Sequence, residues 1–497
     1  MAKDNGGVIG VLNTPTSTSA SGVWQLMSEY QARVSGTWPA PFNLGSSSAR
    51  FNAGSSDSLT RTMTTPTNNK IWTFSSWVKR GLSSSASERP FFDASVDGNN
   101  RSQVMFDSGD VLRMFNLNGG SVDVNITTTQ VFRDFSAWYH IVLSVDSTQS
   151  TSSDRLKFYV NGTQITSFSA STYPSLNSSF KINSAILHCV GKANAGASFY
   201  DGYMADVYLI DGQQLTPSSF GQTDTTTGIW IPKAYTGTYG TNGFYLNFSN
   251  ASSLGTDSSG NGNNFTVNNL TSVDQTKDHP TNNWCTLNPL FPLNDNLAFA
   301  NGNLQATKAS GTATGSYYGN FGVNAGKWYW EMKCTATGGA DQWIGVGQMR
   351  TLAPSGYPGN DTYCIAAGHT NAALRYNGTN VSSGTYTMAT WTAGDIIMMA
   401  LDMDNSKVYW GKNGTWQNSG SPTAGTGAYT NSTIFDGNFI MPVGSLYQSG
   451  GDVSYNFGQP SLSVSGGYSD ANGYGNFTYQ PPSGFLALCT NNLASNG

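Results

Sequence analysis

Residues 71–78 read IWTFSSWV, and this stretch decides the fold class. Successive side chains of a strand point to opposite faces, so Trp72, Phe74 and Ser76 share one face. Similar short aromatic runs recur along the chain and are separated by clusters of Gly, Ser and Asn, which is typical of strands joined by tight turns. No long helical periodicity follows residue 42. The sequence therefore predicts an all-β protein.

The other predicted strands form two groups with sandwich-like spacing. Residues 138–145, 156–160, 199–210 and 245–248 belong to the first group, and residues 328–333, 343–347, 395–401, 408–410 and 453–457 belong to the second. Asn161-Gly162 and Asn413-Gly414 supply the positive backbone angles that type I′ hairpins need.

Residues 257–264 and Asp278-His279-Pro280 are turn and loop material between the two groups. We therefore predict one β-sandwich over residues 43–280 and a second over residues 281–497.

Residues 1–42 are predicted to form an N-terminal arm. Trp24, Met27 and Tyr30 share one helical face, but neighbouring glycines limit this element to two or three turns. Such a segment cannot form a core alone. It either packs on the sandwiches of its own chain or docks on a partner, and we favour docking.

Composition excludes several classes of function. Only 11% of the 497 residues are charged, yet 12% are aromatic, which argues against disorder. A net charge of −5 gives no basic patch for nucleic acid. No apolar stretch approaches the roughly 18 residues that span a bilayer, and the first residues lack the apolar core of a secretory signal. We expect synthesis in a cytosol, and the odd set of five cysteines predicts buried free thiols.

Two sets of motifs resemble known domain families. Residues 74–78, 138–141, 156–162 and 201–207 occur in the order of the laminin-G-like, concanavalin A-type lectin domain, and the resemblance covers residues 43–272. Residues 326–331, 344–347, 394–396, 401–404, 408–416, 441–443 and 455–460 resemble the recurring stretches of the SPRY domain. Both resemblances imply a β-sandwich.

The whole arrangement resembles a class of tailed-phage virion proteins, particularly from marine phages, in which a short arm precedes a laminin-G-like domain and a SPRY domain. Residues 281–289 and 482–490 are similar to the corresponding stretches of that class. The resemblance implies a virion location, as a fibre, spike or surface decoration. The resemblance names no receptor. We expect other virion proteins as partners, contacted through the arm, together with further copies of the chain, and a host cell-surface glycan is a possible further partner.

Hydrolysis is the enzymatic alternative, because the concanavalin-type fold also occurs in glycan-cleaving enzymes. A retaining glycosidase needs two carboxyl groups about 5 Å apart. The nearest approach to this pattern is Asp402 and Asp404, which we place in a hairpin. The four histidines are assigned to strands (His140 and His188), to the linker (His279) and to a loop (His369). The sequence predicts no catalytic residue, no cofactor and no histidine metal cluster.

Two kinds of binding site remain open. Laminin-G-like and lectin domains often bind calcium at a sheet rim, and the candidate ligands are Asp93, Asp146, Asp201 and Asp206, with solvated turn aspartates as the alternative. Trp391, Trp416 and Tyr376 lie next to turns, where they stack on sugar rings or pack in the core. We expect a non-enzymatic virion structural protein; the alternatives are a glycan-binding receptor-recognition protein and a polysaccharide depolymerase.

Overall fold

The structure is a computed structural model that describes residues 46–81, 88–196, 198–225, 227–290, 296–339, 341–348, 356–370, 372–381 and 386–496. The predicted arm over residues 1–42, with Trp24, Met27 and Tyr30, lies outside the described residues. The all-β prediction is confirmed, since strands dominate and the one α-helix in the described part is the short C-terminal α1 (Thr490–Asn496). No described helix has the length and apolar character needed to cross a membrane.

The first sandwich contains β1 to β18. Its strands are β1 (Ser48–Phe51), β2 (Ser58–Thr62), β3 (Ile71–Arg80), β4 (Arg89–Asp97), β5 (Asn100–Asp107), β6 (Val111–Asn118), β7 (Ser121–Val131), β8 (Tyr139–Asp146), β9 (Leu156–Val160), β10 (Thr163–Gln164), β11 (Phe168–Thr172), β12 (Leu187–Val190), β13 (Gly202–Asp211), β14 (Gly221–Thr223), β15 (Trp230–Pro232), β16 (Phe244–Leu246), β17 (Thr266–Asn268) and β18 (Gln275–Thr276). One sheet has the order β10-β9-β8-β3-β13-β1-β18, and the facing sheet has the order β11-β7-β6-β5-β4-β12-β2-β17.

The second sandwich contains β19 to β32. Its strands are β19 (Leu297–Ala300), β20 (Gln305–Lys308), β21 (Gly315–Tyr318), β22 (Lys327–Thr337), β23 (Gln342–Gln348), β24 (Cys364–Gly368), β25 (Leu374–Tyr376), β26 (Thr379–Asn380), β27 (Ile396–Asp402), β28 (Lys407–Lys412), β29 (Thr415–Trp416), β30 (Ile440–Leu446), β31 (Gly451–Asn456) and β32 (Leu486–Ala487). Its sheets have the orders β19-β20-β31-β22-β27-β28-β29 and β21-β30-β23-β24-β25-β26.

Each sandwich closes on its own aromatic core. In the first, Trp72 and Phe74 share one face of β3, as predicted, and this face points into the core. Phe74 stacks on Phe92 of the facing sheet with ring centroids 4.7 Å apart. In the second, the buried Trp410 indole on β28 donates to the Ile344 carbonyl on β23 at 3.0 Å. This bond joins the two sheets and satisfies the polar atom of a buried ring. The five cysteines are buried free thiols, as predicted.

The two predicted Asn-Gly hairpins have the required geometry. Asn161 and Gly162 have φ angles of 47° and 81°, and Asn413 and Gly414 have φ angles of 47° and 85°. A side chain at position 162 would also collide with Trp230, because a Cβ there would lie 2.8 Å from the indole ring. Glycine is therefore required at that turn for both backbone and packing reasons.

The junction between the sandwiches is buried, although its sequence predicted an ordinary loop. Lys79 of β3 forms a 2.7 Å ion pair with Asp278, and the two side chains are 1% and 0% exposed. Trp138 donates to the other carboxylate oxygen of Asp278, Oδ1, at 2.9 Å. Gln459 of the second sandwich donates to Oδ2, the oxygen that pairs with Lys79, at 3.2 Å. One carboxylate thus joins groups from both sandwiches.

Further polar contacts cross the same junction. Tyr203 of β13 donates its hydroxyl proton to the Gly302 carbonyl at 2.8 Å. The Arg50 guanidinium reaches the Pro460 carbonyl at 3.2 Å, and the ammonium of Lys79 also donates to the Asn283 side chain at 2.7 Å. Several hydrogen bonds therefore join the described parts of the two sandwiches.

We predict that Lys79→Met destabilises the protein strongly. The substitution leaves the Asp278 carboxylate buried without its counter-ion, which costs about 3–5 kcal/mol. Chemical denaturation gives the free energy of unfolding. Lys157→Met is the matched control, because Lys157 and Asp154 form a 3.0 Å pair whose side chains are 28% and 46% exposed. Removing an exposed pair of this kind costs about 0–1 kcal/mol. Equal effects of the two substitutions would contradict the role assigned to the junction.

Candidate functional site

The nearest candidate for a catalytic carboxylate pair, Asp402 and Asp404, is structural. Asp402 forms a 2.9 Å ion pair with Lys327. It also accepts hydrogen bonds from the backbone amide and the side-chain amide of Asn405. Asp404 accepts from the backbone amide of Gly326 at 2.7 Å. Each carboxylate therefore holds its own part of the β27–β28 hairpin and its surroundings.

Two of the four histidines are neutral hydrogen-bonded groups inside the first sandwich. His140 accepts from the Trp230 indole at 2.9 Å through Nδ1, and its Nε2 lies 2.9 Å from the Ser75 hydroxyl. Burial lowers the pKa of His140 to about 3. His188 accepts from the Asn183 amide at 2.9 Å, and burial lowers its pKa to about 4. Neither ring is positioned as a solvent-accessible base.

The other two histidines also have structural partners. His279 lies in the segment predicted as a linker, but its side chain is buried. Its Nε2 lies 3.0 Å from a carboxylate oxygen of Asp206. The opposite oxygen of Asp206 accepts from the Tyr245 hydroxyl at 2.6 Å. His369 accepts from the Gln342 amide at 3.0 Å.

Three of the four predicted calcium ligands have both carboxylate oxygens engaged. Their hydrogen-bond donors are Ser95, Gln103 and Asn194 for Asp93; Thr148 and Gln149 for Asp146; and Tyr245 and His279 for Asp206. Asp201 differs, since its Oδ1 is buried without a partner. Within the described ranges, no group of three or more His, Cys, Asp or Glu side chains is arranged to hold a metal ion.

Of the two alternatives for Trp391, the structure shows core packing, because its side chain is 1% exposed and packs in the second core. Trp416 is partly buried against Tyr329 and Tyr409, with both ring centroids 6.4 Å away. Tyr376 is partly buried against the second core. Core packing is therefore the main role of these rings.

The structure reveals a cleft on the outer face of the second sandwich that sequence reasoning missed. Its floor is one cross-strand row, in which Lys333 of β22 lies between Ile396 of β27 and Ser454 of β31. Residues 460–465 form its wall. The cavity has a volume of about 170 Å³. The alternation of apolar and polar residues along β22 predicts that Lys333 points outward. No sequence pattern predicts that residues 460–465 lie beside it and form the wall.

The carboxylate of Glu331 holds the segment beside this wall. Its Oε1 accepts from the Tyr479 amide at 2.8 Å and from the Tyr329 hydroxyl at 3.0 Å. Its Oε2 accepts from the Thr478 amide at 3.0 Å and from Asn456 at 3.1 Å. Burial raises the pKa of Glu331, and these hydrogen bonds oppose the rise. The carboxylate is a fixed part of the scaffold, since both of its oxygens are engaged.

The cleft combines the Lys333 ammonium and the hydrogen-bonded Glu331 carboxylate with hydroxyl and apolar groups. No carboxylate of the described residues lies within 4 Å of the Lys333 ammonium, and the hydroxyl of Ser461 is buried without a partner. Ile396, Pro460 and Leu462 add apolar surface. Pockets for drug-sized ligands measure about 300–1,000 Å³, so this one suits a single small group. An ammonium beside hydroxyls fits an anionic, hydroxyl-bearing group.

A second cavity, of about 450 Å³, lies on the other side of the same wall. It is lined by residues 275–277 from the end of the first sandwich and by residues 458–460 from the second. The wall residues Pro460 and Leu462 border both cavities. The cleft and the junction are therefore neighbouring parts of the structure.

Comparison with protein families identifies both sandwiches. Residues 53–219 match the laminin G type of the concanavalin A-like lectin/glucanases superfamily, and residues 327–458 match the SPRY domain. The chain therefore carries a laminin-G-like sandwich followed by a SPRY sandwich, as the sequence motifs predicted. These two domains are compatible with a binding or recognition protein.

Solved SPRY domains are similar to part of the chain. The SPRY domain of human HERC1 is 21% identical (32% of this chain and 92% of that chain, TM-score 0.26), a further human SPRY domain is 10% identical (34% and 98%, TM-score 0.25), and the PSpry domain of TRIM65 is 14% identical (34% and 90%, TM-score 0.27). No curated protein matches the chain. None of these matches concerns a tailed-phage virion protein, so that identity stays a prediction.

We predict that Glu331→Ala loosens the wall of the cleft. The substitution leaves the amides of Thr478 and Tyr479 without their acceptor, and each buried unsatisfied group costs about 1–3 kcal/mol. Hydrogen–deuterium exchange of residues 476–479 should become faster, and the free energy of unfolding should fall.

Asp404→Ala is the control for this prediction. Asp404 is an exposed carboxylate that also accepts from a backbone amide, but at the β27–β28 hairpin. Its substitution should leave exchange of residues 476–479 unchanged. Unchanged exchange in Glu331→Ala would show that the carboxylate does not fix the wall.

Proposed function

We propose that the chain is a non-enzymatic structural protein of a virion, as a fibre, spike or surface decoration, and that it binds a host-surface glycan through the cleft beside Lys333. The tandem of laminin-G-like and SPRY domains supports a role in binding. The resemblance of the whole arrangement to tailed-phage virion proteins supports the location.

The observation that carries the binding proposal is the ammonium of Lys333, which lines the cleft. Lys333 is partly buried between Ile396 and Ser454, and within the described part of the chain no acidic group pairs with it. A hydrogen bond between this ammonium and an anionic ligand is charge-assisted and therefore stronger than a bond between neutral groups. An acidic sugar residue supplies the carboxylate for Lys333 and hydroxyls for Ser454 and Ser461.

The cleft is suited to binding because its parts are held before a ligand arrives. Lys333 projects from the central strand β22, and Glu331, two residues earlier on the same face, holds residues 478 and 479. A preformed site loses less conformational entropy on binding than a mobile one. Recognition in this site needs no proton transfer.

The proposed assembly role assigns residues 1–42 to anchoring on other virion proteins and the sandwiches to contacts with further copies of the chain. The low charged fraction of 11% supports such contacts. Uncharged Ser, Thr, Asn and Gly surfaces are buried between subunits without stranding ions. We place the protein in the virion after synthesis in the host cytoplasm.

Glycan binding is tested with an array that pairs acidic saccharides with their neutral counterparts. We expect the wild type to prefer the acidic member of a pair and Lys333→Gln to lose that preference. Lys70→Gln on the first sandwich is the control, because Lys70 is also a partly buried lysine but lies away from the cleft. Equal binding by wild type and Lys333→Gln would reject the cleft as the glycan site. New reducing ends from host envelope polysaccharide would instead favour the depolymerase alternative.

Anchoring is tested by deleting residues 1–42. We expect the shortened chain to keep the thermal unfolding midpoint of the sandwiches and to be absent from purified particles. Lys333→Gln in the full-length chain is the control, since it should enter particles normally. Normal incorporation of the shortened chain would reject the arm as the anchor.

A further inference from the structure

The buried ammonium of Lys79 contacts a side-chain amide as well as a carboxylate. Its Nζ lies 2.7 Å from Oδ2 of Asp278, 2.7 Å from Oδ1 of Asn283 and 3.3 Å from the carbonyl oxygen of Trp284. A carbonyl bond is about 1.23 Å long, so this nitrogen lies within about 4 Å of the Asn283 Cγ. A primary amine, a carboxylate and an amide carbon therefore meet at one point of the junction.

Asn283 is held in place on both sides of its backbone and at its side chain. Its Nδ2 donates to the Ser136 carbonyl at 2.7 Å, which directs Oδ1 to Lys79. Its backbone amide donates to the Thr490 hydroxyl at 2.9 Å, and its carbonyl accepts from the Thr490 amide at 2.8 Å. Two reacting groups fixed in contact avoid most of the entropy cost of meeting each other.

The surroundings of the amine exclude water. The side chains of Lys79 and Asp278 are 1% and 0% exposed, and Nζ lies 5.5 Å from the centroid of the Tyr203 ring. Charges are costly in such a place, and transfer of a proton from the ammonium to the carboxylate removes both charges. A desolvated neutral lysine amine is a nucleophile. Asn283 is only partly buried, so a group released from its side chain has a path to solvent.

We propose that Lys79 and Asn283 form a side-chain isopeptide bond, with Asp278 as the proton acceptor. The Lys79 ammonium gives one proton to Asp278, and the freed lone pair of Nζ attacks Cγ of Asn283. The Nζ–Cγ bond forms and the Cγ–Nδ2 bond breaks. A second proton passes from Nζ to the departing nitrogen, which leaves as ammonia, and the third proton stays on the new amide.

The energetics of the junction favour the product. The ion pair described above is the state before the reaction, with two charges buried. In the product the new amide is neutral and Asp278 keeps the proton it received, so no charge remains buried without a partner. Ammonia escapes to the solvent, which draws the reaction forward. The reaction needs no oxidant and no cofactor.

The bond would have a mechanical consequence that is independent of the glycan cleft. Lys79 lies on β3 of the first sandwich, and Asn283 lies at the start of the second, 204 positions later. Tension between the two ends of the chain would pass directly from residue 79 to residue 283 and bypass residues 80–282. A cross-link that closes so long a loop also reduces the entropy of the unfolded chain. The first sandwich is therefore protected against unfolding by force and by heat.

The test is mass spectrometry of the full-length wild type after incubation at neutral pH. We expect the intact mass to fall below the sequence mass by one ammonia. Trypsin does not cleave after an acylated lysine, so residues 71–80 and 278–308 should appear as one branched peptide whose fragments locate the bond. A protein of full sequence mass that yields the two peptides separately would overturn the proposal.

The branched peptide decides the result, because Asn-Gly turns such as Asn161-Gly162 also lose ammonia when they cyclise to succinimides. Asn283→Ala keeps Lys79 and Asp278 but removes the amide carbon. This variant should yield no branched peptide, and its thermal midpoint should lie several degrees below that of the wild type. Asn320→Ala is the matched control, since Asn320 is also partly buried and bonds to Thr286 instead of a lysine. It should keep the branched peptide.

Two further variants test the chemistry. Lys79→Arg keeps a positive charge beside Asp278, but a guanidinium does not give up its proton, so this variant should retain the full mass. Asp278→Asn removes the proton acceptor and should also stop the reaction, with cooperative thermal unfolding as the check that the chain is folded. A branched peptide in folded Asp278→Asn would reject the role of the carboxylate, and loss of ammonia in the wild type without a branched peptide would reject the bond.

Discussion

The architecture depends on the buried ion pair between Lys79 and Asp278. Removing two charges from water is expensive, and the cost is offset only where every remaining donor and acceptor has a partner. Asp278 meets that condition with Trp138 and Gln459, and Lys79 meets it with Asn283. Because these partners come from both sandwiches, the pair is complete only when the two are docked. The segment around Asp278 has the composition of a flexible linker, but it forms a fixed contact between the two sandwiches.

The same principle distinguishes three carboxylate centres in the described structure. Asp278 and Glu331 have partners for both oxygens and act as fixed points, one for the joint and one for the wall of the cleft. At the β1–β2 turn, Asp57 and Asp201 each have one oxygen engaged and one without a partner. Complete hydrogen bonding of both oxygens marks Asp278 and Glu331 as parts of the scaffold.

The sequence was most informative where local rules decide the outcome. The inward faces of Trp72 and Phe74 follow from strand alternation, and the two Asn-Gly hairpins follow from the backbone freedom of those residues. The strands over residues 89–131, which form most of one sheet, were not identified, although the alternation of Val124 and Ile126 with polar neighbours offered a signal.

Local sequence rules do not predict contacts between residues that are far apart in the sequence. Nothing near Asp278 reveals that a lysine 199 positions earlier will pair with it, and nothing near Glu331 reveals that residues 478 and 479 will return to it. For Trp391 the neighbouring turn left both sugar stacking and core packing open, and only tertiary packing, which buries the ring, decides between them. Turn composition predicts a change of chain direction but does not predict exposure.

The five buried cysteines have a consequence for redox chemistry. Burial raises the pKa of Cys189 and Cys285 to about 12 and that of Cys334 and Cys489 to about 11, and it raises the pKa of Cys364 further. The thiolate is the nucleophile in disulfide exchange, so these sulfurs are inert while the fold persists. The native chain therefore passes between reducing and oxidising surroundings without covalent change. Once unfolded under oxidising conditions, it exposes five reactive thiols and becomes prone to cross-linking that blocks refolding.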